Sequence, residues 1–378
     1  MSVASCKECS QHIEFPDEMA GQEVQCPTCG KQTTLARPGE PIIKIPRKQS
    51  KAPVIPEQRG SIVNLTANKI INNVEKVIVG KRESITLALV AYFSEGHILL
   101  EDVPGVAKTM LARALAQSVG CTFKRVQCTP DLLPNDITGA SIFNPKTTEF
   151  EFRPGPLFAQ IVLADEINRT TPRTQAALLE AMSERQVTVD GTNYELKRPF
   201  LIIATQNPID HEGTFPLPEA QLDRFLVRLS IGYPTEEEEG RMIELLQREH
   251  PIDTLTAVVS DEEVISCQQA VREIHVDSKV REYILRVCRS TRDHHAVLLG
   301  GSPRASLAIF RASQALAAIQ GYDFVLPDHV KEIAPAALMH RLIIRPESRL
   351  RKMTTRTIVN ELLNQIPVPT LSAGDRFS

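Results

Sequence analysis

A lysine and a threonine stand side by side in a short segment with the character of a phosphate-binding loop. The segment runs from Glu101 to Met110, follows an apolar run and opens a helix-prone stretch. In loops of this kind successive backbone N–H groups converge on phosphates, a lysine neutralises the terminal phosphates and a hydroxyl binds magnesium. Lys108 and Thr109 can take the last two roles. The segment therefore predicts a site for a nucleotide and Mg2+, with an ordinary strand-to-helix turn as the alternative.

The loop departs from the common pattern G-x-x-x-x-G-K-[ST] at two glycines. Asp102 and Ala107 occupy those positions, and only Gly105 keeps the backbone freedom of the centre. If the backbone at Ala107 requires a positive φ, its Cβ costs about 1–2 kcal/mol, and we expect a modest nucleotide affinity. The residues predicted to contact the nucleotide here are Asp102, Val103, Pro104, Gly105, Val106, Ala107, Lys108, Thr109 and Met110.

An acidic pair supplies the other requirements of nucleotide hydrolysis, which are a held metal ion and an aimed water molecule. Asp165 and Glu166 follow the apolar run 161–164. Asp165 is predicted to hold the hydrated magnesium ion, and Glu166 to orient or deprotonate the attacking water. The alternative is a helix N-terminus, where carboxylates are favoured for structural reasons. Because the pair shares the chain with Lys108 and Thr109, the combination favours hydrolysis of ATP to ADP and phosphate.

Three more polar side chains are candidates for the reaction. Asn207 follows a strand-like run and can hydrogen-bond the attacking water or the terminal phosphate; the alternative is a turn residue before a proline. Arg224 can reach a neighbouring subunit's nucleotide and stabilise transition-state charge; the alternative is a structural pair with Asp223. Arg304 lies in the first turn of a predicted helix, where a cation opposes the helix dipole unless a phosphate is bound. The alternative for Arg304 is a salt bridge to a surface carboxylate.

Eight cysteines divide into a patterned group and a scattered group. Two C-x2-C pairs have the spacing of a site in which four thiolates surround one zinc ion; they are formed by Cys6, Cys9, Cys26 and Cys29. The alternative is two disulfides, which a cytosolic protein does not normally keep. The scattered cysteines have apolar neighbours and are predicted to be core residues; they are Cys121, Cys128, Cys267 and Cys288.

Strand-like apolar runs alternate with helical patterns from Ile62 to about Tyr233, which predicts a parallel α/β sheet. The runs are 97–100, 123–126, 161–164, 200–204 and 225–231. Polar residues follow the first four runs, and we expect them to converge because ligands of open α/β sheets bind where strands end. Two segments interrupt the alternation, at 141–152 and 186–196, and both are predicted to be β-hairpins. Decorative surface loops are the alternative.

Beyond residue 233 the sequence becomes helical. Thr235 and Glu238 form a capping box, which predicts a new helix and a new domain there. Ser302 and Pro303 predict the N-cap and the first residue of a helix whose alanine-rich part runs from 305 to 320 and is closed by a glycine. Prolines and basic residues between 36 and 60 predict an extended linker. The predicted segments are a zinc-ribbon-like module at 1–35, the linker at 36–60, the α/β core at 61–233, the helical domain at 234–365 and a flexible tail at 366–378.

Several longer motifs, in order along the chain, resemble those of the MoxR family of AAA+ ATPases. They lie at 101–109, 129–139, 164–169, 175–182, 204–208, 217–225 and 301–305. The resemblance extends from about Ile62 into the 360s. The first 35 residues resemble an appended zinc ribbon, whose role the family pattern does not supply.

The resemblance implies a P-loop core with a parallel sheet and an α-helical lid, and it gives each candidate residue a role. It assigns the adenine contact to Gly80, Walker A to Lys108 and Thr109, Walker B to Asp165 and Glu166, sensor 1 to Asn207, the arginine finger to Arg224 and sensor 2 to Arg304. The two hairpins would be the helix-2 and pre-sensor-1 inserts shared with magnesium-chelatase-like proteins. Members are similar in forming rings, usually hexameric, and in acting as chaperone-like remodellers, often with von Willebrand factor A domain partners.

Composition bounds the remaining function classes. The 378-residue chain has a net charge of −3 and ordinary apolar content, so no global field favours nucleic acid or an anionic membrane. We find no leader-like or membrane-spanning apolar stretch and expect a cytoplasmic ATPase that remodels a client protein. Two alternatives stay open: a nucleic-acid motor that grips its substrate with the ribbon, linker and hairpins, and a nucleotide-gated scaffold whose turnover is incidental. Neither hairpin is strongly basic, which disfavours the motor.

Overall fold

The computed structural model describes residues 2–6, 9, 11–15, 23–34, 62–207, 214–247 and 250–369. Its internal contacts divide the chain into two units, Met1–Pro56 and Glu57–Ser378. The predicted linker at 36–60 lies outside the described residues, as do the last nine residues, 370–378, of the predicted tail.

The first unit contains two short antiparallel hairpins. Strand β1 (Ser2–Ser5) pairs with β2 (His12–Phe15), and β3 (Glu23–Gln25) pairs with β4 (Gln32–Thr34). One C-x2-C pair of cysteines lies between the strands of each hairpin. The described apolar core of this unit is small, since buried Ala4 is packed only by Ile13 and Val24.

The second unit begins with alternating helices and strands, as the sequence predicts. In chain order they are α1 (Ile62–Val74), α2 (Arg82–Phe93), β5 (Ile98–Glu101), α3 (Lys108–Ser118), β6 (Phe123–Gln127), α4 (Pro134–Thr138), β7 (Gly139–Asn144), β8 (Glu149–Pro154), β9 (Ile161–Asp165), α5 (Pro172–Glu184), β10 (Gln186–Val189), β11 (Thr192–Glu195), β12 (Leu201–Gln206), α6 (Glu219–Leu222) and β13 (Val227–Leu229).

Five of these strands form one parallel sheet in the order β13-β5-β12-β9-β6. Successive side chains of a strand point to opposite faces, so a sheet covered on both faces needs apolar residues at every position. Strand β9 shows this pattern: Ile161 and Leu163 lie in one apolar core, while Val162 and Ala164 lie in the other. The predicted parallel sheet is confirmed. The apolar cores on its two faces fix the positions of the strands and of their carboxyl ends.

Both predicted hairpins are present. Strands β7 and β8 pair antiparallel, and so do β10 and β11. The second hairpin turns at Asp190 and Gly191, both with positive φ (50° and 78°), which is the backbone that an Asp-Gly turn favours. The surface-loop alternative is therefore wrong for both segments.

The remainder is helical, with one small β-pair, β14 with β15. The elements are α7 (Glu236–Leu246), α8 (Asp261–Arg272), α9 (Ser278–Asp293), β14 (Val297–Leu299), α10 (Pro303–Ile319), α11 (Pro327–Leu338), β15 (Ile343–Ile344), α12 (Pro346–Leu350) and α13 (Thr355–Gln365). The capping box predicted at Thr235 and Glu238 opens α7. Ser302 caps α10 and Pro303 is its first residue, as the sequence predicts. The four scattered cysteines are buried, as predicted. Among the described residues, no helix combines the length and the apolar character needed to cross a bilayer.

Candidate nucleotide-binding site

The carboxyl ends of three adjacent strands surround one cavity of about 350 Å3. Strand β5 leads into the loop before α3, β9 ends at the acidic pair, and β12 ends just before the candidate asparagine. Because these strands are neighbours in a parallel sheet, residues far apart in sequence meet there. The cavity is lined by Pro104, Gly105, Ala107, Lys108, Thr109, Met110, Asp165, Glu166 and Asn207. The predicted convergence of polar strand ends is confirmed.

The lysine of the loop bridges two of the strand ends. Its Nζ donates to the carbonyl oxygen of Asp102 at 2.7 Å and to that of Gln206 at 3.5 Å. These contacts hold the ammonium group of Lys108 at the cavity, between the loop and the end of β12. A cation at this place can neutralise phosphate charge.

The backbone of the loop takes left-handed conformations at two positions. Gly105 has φ +85°, and a Cβ there would meet no atom within 4 Å, so this glycine is required by its backbone angle rather than by space. Ala107 has φ 60° and ψ 26° and stands at the N-cap of α3 without a side-chain cap. The positive φ considered for Ala107 is therefore confirmed. The first N–H groups of α3 have no intrahelical partner and can bind an anion.

Asp102 anchors the loop instead of lining the cavity. Its Oδ2 accepts hydrogen bonds from Ser230 Oγ at 2.9 Å and from the N–H groups of Ile231 and Gly232 at 2.7 Å each, and its Oδ1 accepts from Val103 N–H at 2.9 Å. Burial alone would raise the pKa of the Asp102 carboxyl, but these hydrogen bonds outweigh it and hold the pKa below its usual value. A glycine at this position would lose all four bonds.

The carboxylate of Asp165 is held by two partners. Its Oδ1 accepts from Thr205 Oγ1 at 2.6 Å, and its Oδ2 accepts from Arg125 Nη2 at 2.6 Å and Nε at 3.0 Å. Arg125 also donates to Gln127 Oε1 at 2.6 Å. Sequence reasoning missed Arg125, because its position inside strand β6 gave no sign of the partner 40 residues away.

Glu166 is restrained in a similar way. Its backbone is left-handed, with φ 60°, and its N–H donates to Thr205 Oγ1 at 2.8 Å. Its Oε2 accepts from Arg169 Nη1 at 2.9 Å and from Gln127 Nε2 at 3.2 Å. Both acidic side chains of the cavity therefore face an arginine in this structure. The helix-start alternative also receives support, since a short 3-10 helix, Ile167–Arg169, follows Glu166.

Other predicted nucleotide contacts lie outside the cavity lining. Val106 is buried in the core and Val103 packs against it. Gly80 lies between α1 and α2 with φ +72°, and a Cβ there would overlap the side chain of Glu238. Lys81 forms an ion pair of 3.2 Å with that glutamate, so the segment is fixed to the start of α7.

Arg224 and Arg304 do not line the cavity either. Arg224 Nη1 donates to the carbonyl of Leu179 at 2.8 Å and to Ser183 Oγ, both on α5. The alternative of an Asp223–Arg224 pair is wrong, since Asp223 pairs with a different arginine, Arg341, at 2.8 Å.

Arg304 is exposed in the first turn of α10 and makes no ion pair within the described residues. The residue that caps its helix, Ser302, donates from Oγ to Asp223 Oδ2 at 2.7 Å. The start of the helix that carries Arg304 is therefore joined to the residue directly before Arg224.

The four patterned cysteines come together in the first unit. Their Sγ atoms lie within 4.8 Å of one another. Cys6 and Cys29 are 3.8 Å apart at sulfur, and Cys9 and Cys26 are 3.7 Å apart. None of the four forms a disulfide, so the disulfide alternative is wrong.

Comparisons with known proteins agree with this architecture. The model of the ATPase family associated with various cellular activities (AAA) matches residues 97–227, from just before β5 into β13, and that of the AAA lid domain matches 289–362. The chain is 39% identical to chaperone MoxR1 of Mycobacterium tuberculosis over 317 residues, 82% of this chain and 84% of that protein. The chain belongs to the MoxR family of AAA+ ATPases.

Two further relatives extend the MoxR-family match. An uncharacterised protein of Bacillus subtilis, YeaC, is 50% identical over 308 residues, which is 82% of this chain and 96% of that protein. A crystal structure of a protein from Cytophaga hutchinsonii, assigned as an ATPase, superposes with a TM-score of 0.76 at 36% identity, covering 82% of this chain and 97% of the other. This MoxR-family chain is therefore an ATPase with a parallel-sheet core and a helical lid, and its chemistry requires ATP and Mg2+.

Proposed function

We propose that this MoxR-family ATPase assembles into a ring of six subunits and uses ATP hydrolysis to remodel or mature a client protein. One observation carries the catalytic part: a loop lysine and threonine, an acidic pair and an asparagine line a single cavity at the carboxyl ends of adjacent parallel strands. The chaperone part is supported by the name of the relative from Mycobacterium tuberculosis.

Within the cavity the side chains divide the work of phosphoryl transfer. Lys108 binds the terminal phosphates, and Glu166 with Asn207 holds the attacking water in line. Thr109 and Asp165 offer hard oxygen ligands at the cavity, which fits a magnesium ion. The ion would neutralise phosphate charge. The contacts of Arg125 with Asp165 and of Arg169 with Glu166 must loosen when these carboxylates take up their roles.

Arg224 is assigned to the nucleotide of a neighbouring subunit. Arg304 was expected to hold phosphates together with Lys108, and it is reassigned to the same neighbouring nucleotide because it lies outside the cavity lining. Neither Arg224 nor Arg304 lines the cavity of its own chain, and the Ser302–Asp223 hydrogen bond keeps the two segments close. An arginine supplied by a neighbour stabilises the charge that develops on the transferred phosphoryl group. Turnover should therefore depend on assembly.

The hairpin β7–β8 offers a surface for an apolar client segment. Phe143 and Phe150 are 50% and 73% exposed, and their rings pack edge to face with centroids 5.5 Å apart. The charges of Lys146, Glu149, Glu151 and Arg153 on this hairpin cancel, so the hairpin lacks the positive charge that nucleic-acid binding requires. The hairpin therefore supports a protein client over the nucleic-acid alternative.

The cysteine cluster is proposed to hold one zinc ion. A tetrahedral ion with Zn–S distances of about 2.3 Å sets its sulfurs about 3.8 Å apart, which matches the observed separations. The small apolar core of this unit also favours a metal, because very small domains usually need a metal ion or another cross-link for stability. Cysteines that form no disulfide suit a reducing compartment, so we propose a cytoplasmic location. Partners with von Willebrand factor A domains are proposed on the family resemblance alone.

The central test is the Glu166→Gln variant. It removes the group that activates water but keeps the size of the side chain, so ATP should bind and remain unhydrolysed. Normal turnover of Glu166→Gln would refute the assignment. The variant loaded with ATP and incubated in native extract should capture its client; recovery of nucleic acid instead would favour the motor.

A matched variant separates hydrolysis from scaffolding. Lys108→Ala should abolish both ATP binding and client release, whereas a scaffold would keep partner capture and cellular function in that variant. Metal analysis of the purified chain tests the cysteine site: one zinc per chain is expected, and none in Cys26→Ser.

A further inference from the structure

A buried arginine in the lid segment holds the backbone on both sides of Arg224. Arg341 follows α11, and its side chain is 3% exposed. An arginine has five N–H donors, and all five of Arg341 find acceptors. These acceptors are Asp223 Oδ1 at 2.8 Å, Asp223 O at 3.1 Å, Phe225 O at 2.5 Å, Leu226 O at 3.1 Å and Ala337 O. Four of the five belong to residues 223–226.

The carboxylate of Asp223 joins a second lid element to the same segment. Its Oδ2 accepts from Ser302 Oγ at 2.7 Å, while its Oδ1 accepts from Arg341. Ser302 is the N-cap of α10, and its Oγ also accepts the N–H groups of Arg304 and Ala305. Asp223 lies directly before Arg224. It therefore ties this position to the start of α10 and to Arg341, just after α11.

This cluster links the two family segments of the chain. Asp223 lies in the part matched by the AAA model, and Ser302 and Arg341 lie in the part matched by the lid model. A buried guanidinium whose donors are all satisfied cannot shift alone, because it would leave unpaired charge in the protein interior. The residues around Arg224 must then follow the lid when it moves.

Arg224 itself has a looser hold. Its side chain is partly exposed and rests on α5 through Leu179 O and Ser183 Oγ. Its backbone is fixed by the cluster, whereas its guanidinium can swing to another acceptor. We propose that Asp223, Ser302 and Arg341 are positioning residues that couple movement of the lid to the placement of Arg224 at a neighbouring subunit's nucleotide. The inference rests on the proposed action of Arg224 across the subunit boundary.

The test compares two helix-capping serines. Ser302→Gly removes the cap of α10 together with the bond to Asp223. Ser260→Gly removes the cap of α8; within the described residues, the side chain of Ser260 has one hydrogen bond, which it accepts from Glu263 N–H. Glycine is a tolerated cap, so both variants should fold. Misplacement of a catalytic group by about 1 Å can cost on the order of 100-fold, so we expect a 10- to 100-fold lower kcat for Ser302→Gly. KM for ATP and the activity of Ser260→Gly should stay unchanged.

Turnover in mixed assemblies distinguishes a misplaced Arg224 from a defect within the mutated subunit's own site. Glu166→Gln subunits cannot hydrolyse ATP but present a normal Arg224 to their neighbours. Mixing them with Ser302→Gly subunits should restore turnover in the Ser302→Gly sites. Asp223→Asn, which keeps the shape and removes the charge facing Arg341, should give the same pattern.

The outcomes separate this inference from the proposed function. Full activity of Arg224→Ala alone would overturn the action across the boundary itself. A second outcome would overturn only the coupling. In that outcome Arg224→Ala is strongly impaired and is rescued by Glu166→Gln subunits, but Ser302→Gly and Asp223→Asn keep the wild-type kcat. A lowered kcat in Ser302→Gly that mixing does not rescue would also overturn the coupling, because the defect would then lie in its own site.

Discussion

Replacing Ala107 by glycine should stabilise the protein. The left-handed backbone at this residue, φ 60° and ψ 26°, costs an L-residue about 1–2 kcal/mol. Glycine removes that cost but loosens the unfolded chain, which lowers the gain by about 0.4–1 kcal/mol. The difference is a net increase of about 0.5–1 kcal/mol in the free energy of unfolding. An ordinary alanine-to-glycine change in a helix does the opposite by about 1 kcal/mol.

The assay is urea unfolding of the nucleotide-free protein, with the free energy taken from the midpoint and slope. Gly105→Ala is the matched control in the same loop, because its φ is +85° and its new Cβ would meet no atom within 4 Å. It should destabilise by about the amount that Ala107→Gly stabilises. A loss of stability in Ala107→Gly would refute the strain argument. Since the strain is present before nucleotide binds, ADP affinity should stay the same, which removes the reason for expecting a weak site.

Three further perturbations test other parts of the structure. Arg125→Gln frees the carboxylate of Asp165 and should lower the Mg2+ concentration for half-maximal ATP binding about two- to fivefold, whereas Arg113→Gln should not change it. Burial lowers the pKa of His97 to about 4, so the unfolded chain alone takes up its proton between pH 6.5 and 4. Through this group the free energy of unfolding should fall by about 2 kcal/mol from pH 7 to 5. In His97→Gln the free energy of unfolding, measured by urea unfolding, should fall less steeply over the same pH range. Gly80→Ala should cost about 2 kcal/mol or more in thermal unfolding, since φ is +72° and the new Cβ would displace a carboxylate in the first turn of α7; an unchanged Tm would contradict this.

The sheet and its hairpins could be predicted because local pattern determines them. Apolar runs predicted all five strands of the sheet within one or two residues of their observed limits. Asp190-Gly191 predicted a turn, and both residues have the positive φ that such a turn favours. The cavity followed from the same reasoning, since a parallel sheet brings its strand ends together.

Contacts between distant segments could not be predicted in the same way. Arg341 lies 118 residues from Asp223, and no periodicity connects them. Adjacency in the sequence offered Arg224 as an alternative partner of Asp223, which the structure contradicts. Arg125 shows the same limit, because in sequence it is one more charged residue in a strand. Which charge meets which is decided by tertiary packing.

The two edges of the parallel sheet are protected by different means. An open edge presents unpaired N–H and C=O groups to which strands of another chain can add, and natural proteins discourage this with charged side chains. Strand β13 at one edge contacts α2 and α11, while β6 at the other edge carries exposed Lys124 and Arg125. The arginine that contacts Asp165 thus also places charge at this edge of the sheet. Its loss should make newly synthesised chains more prone to aggregate.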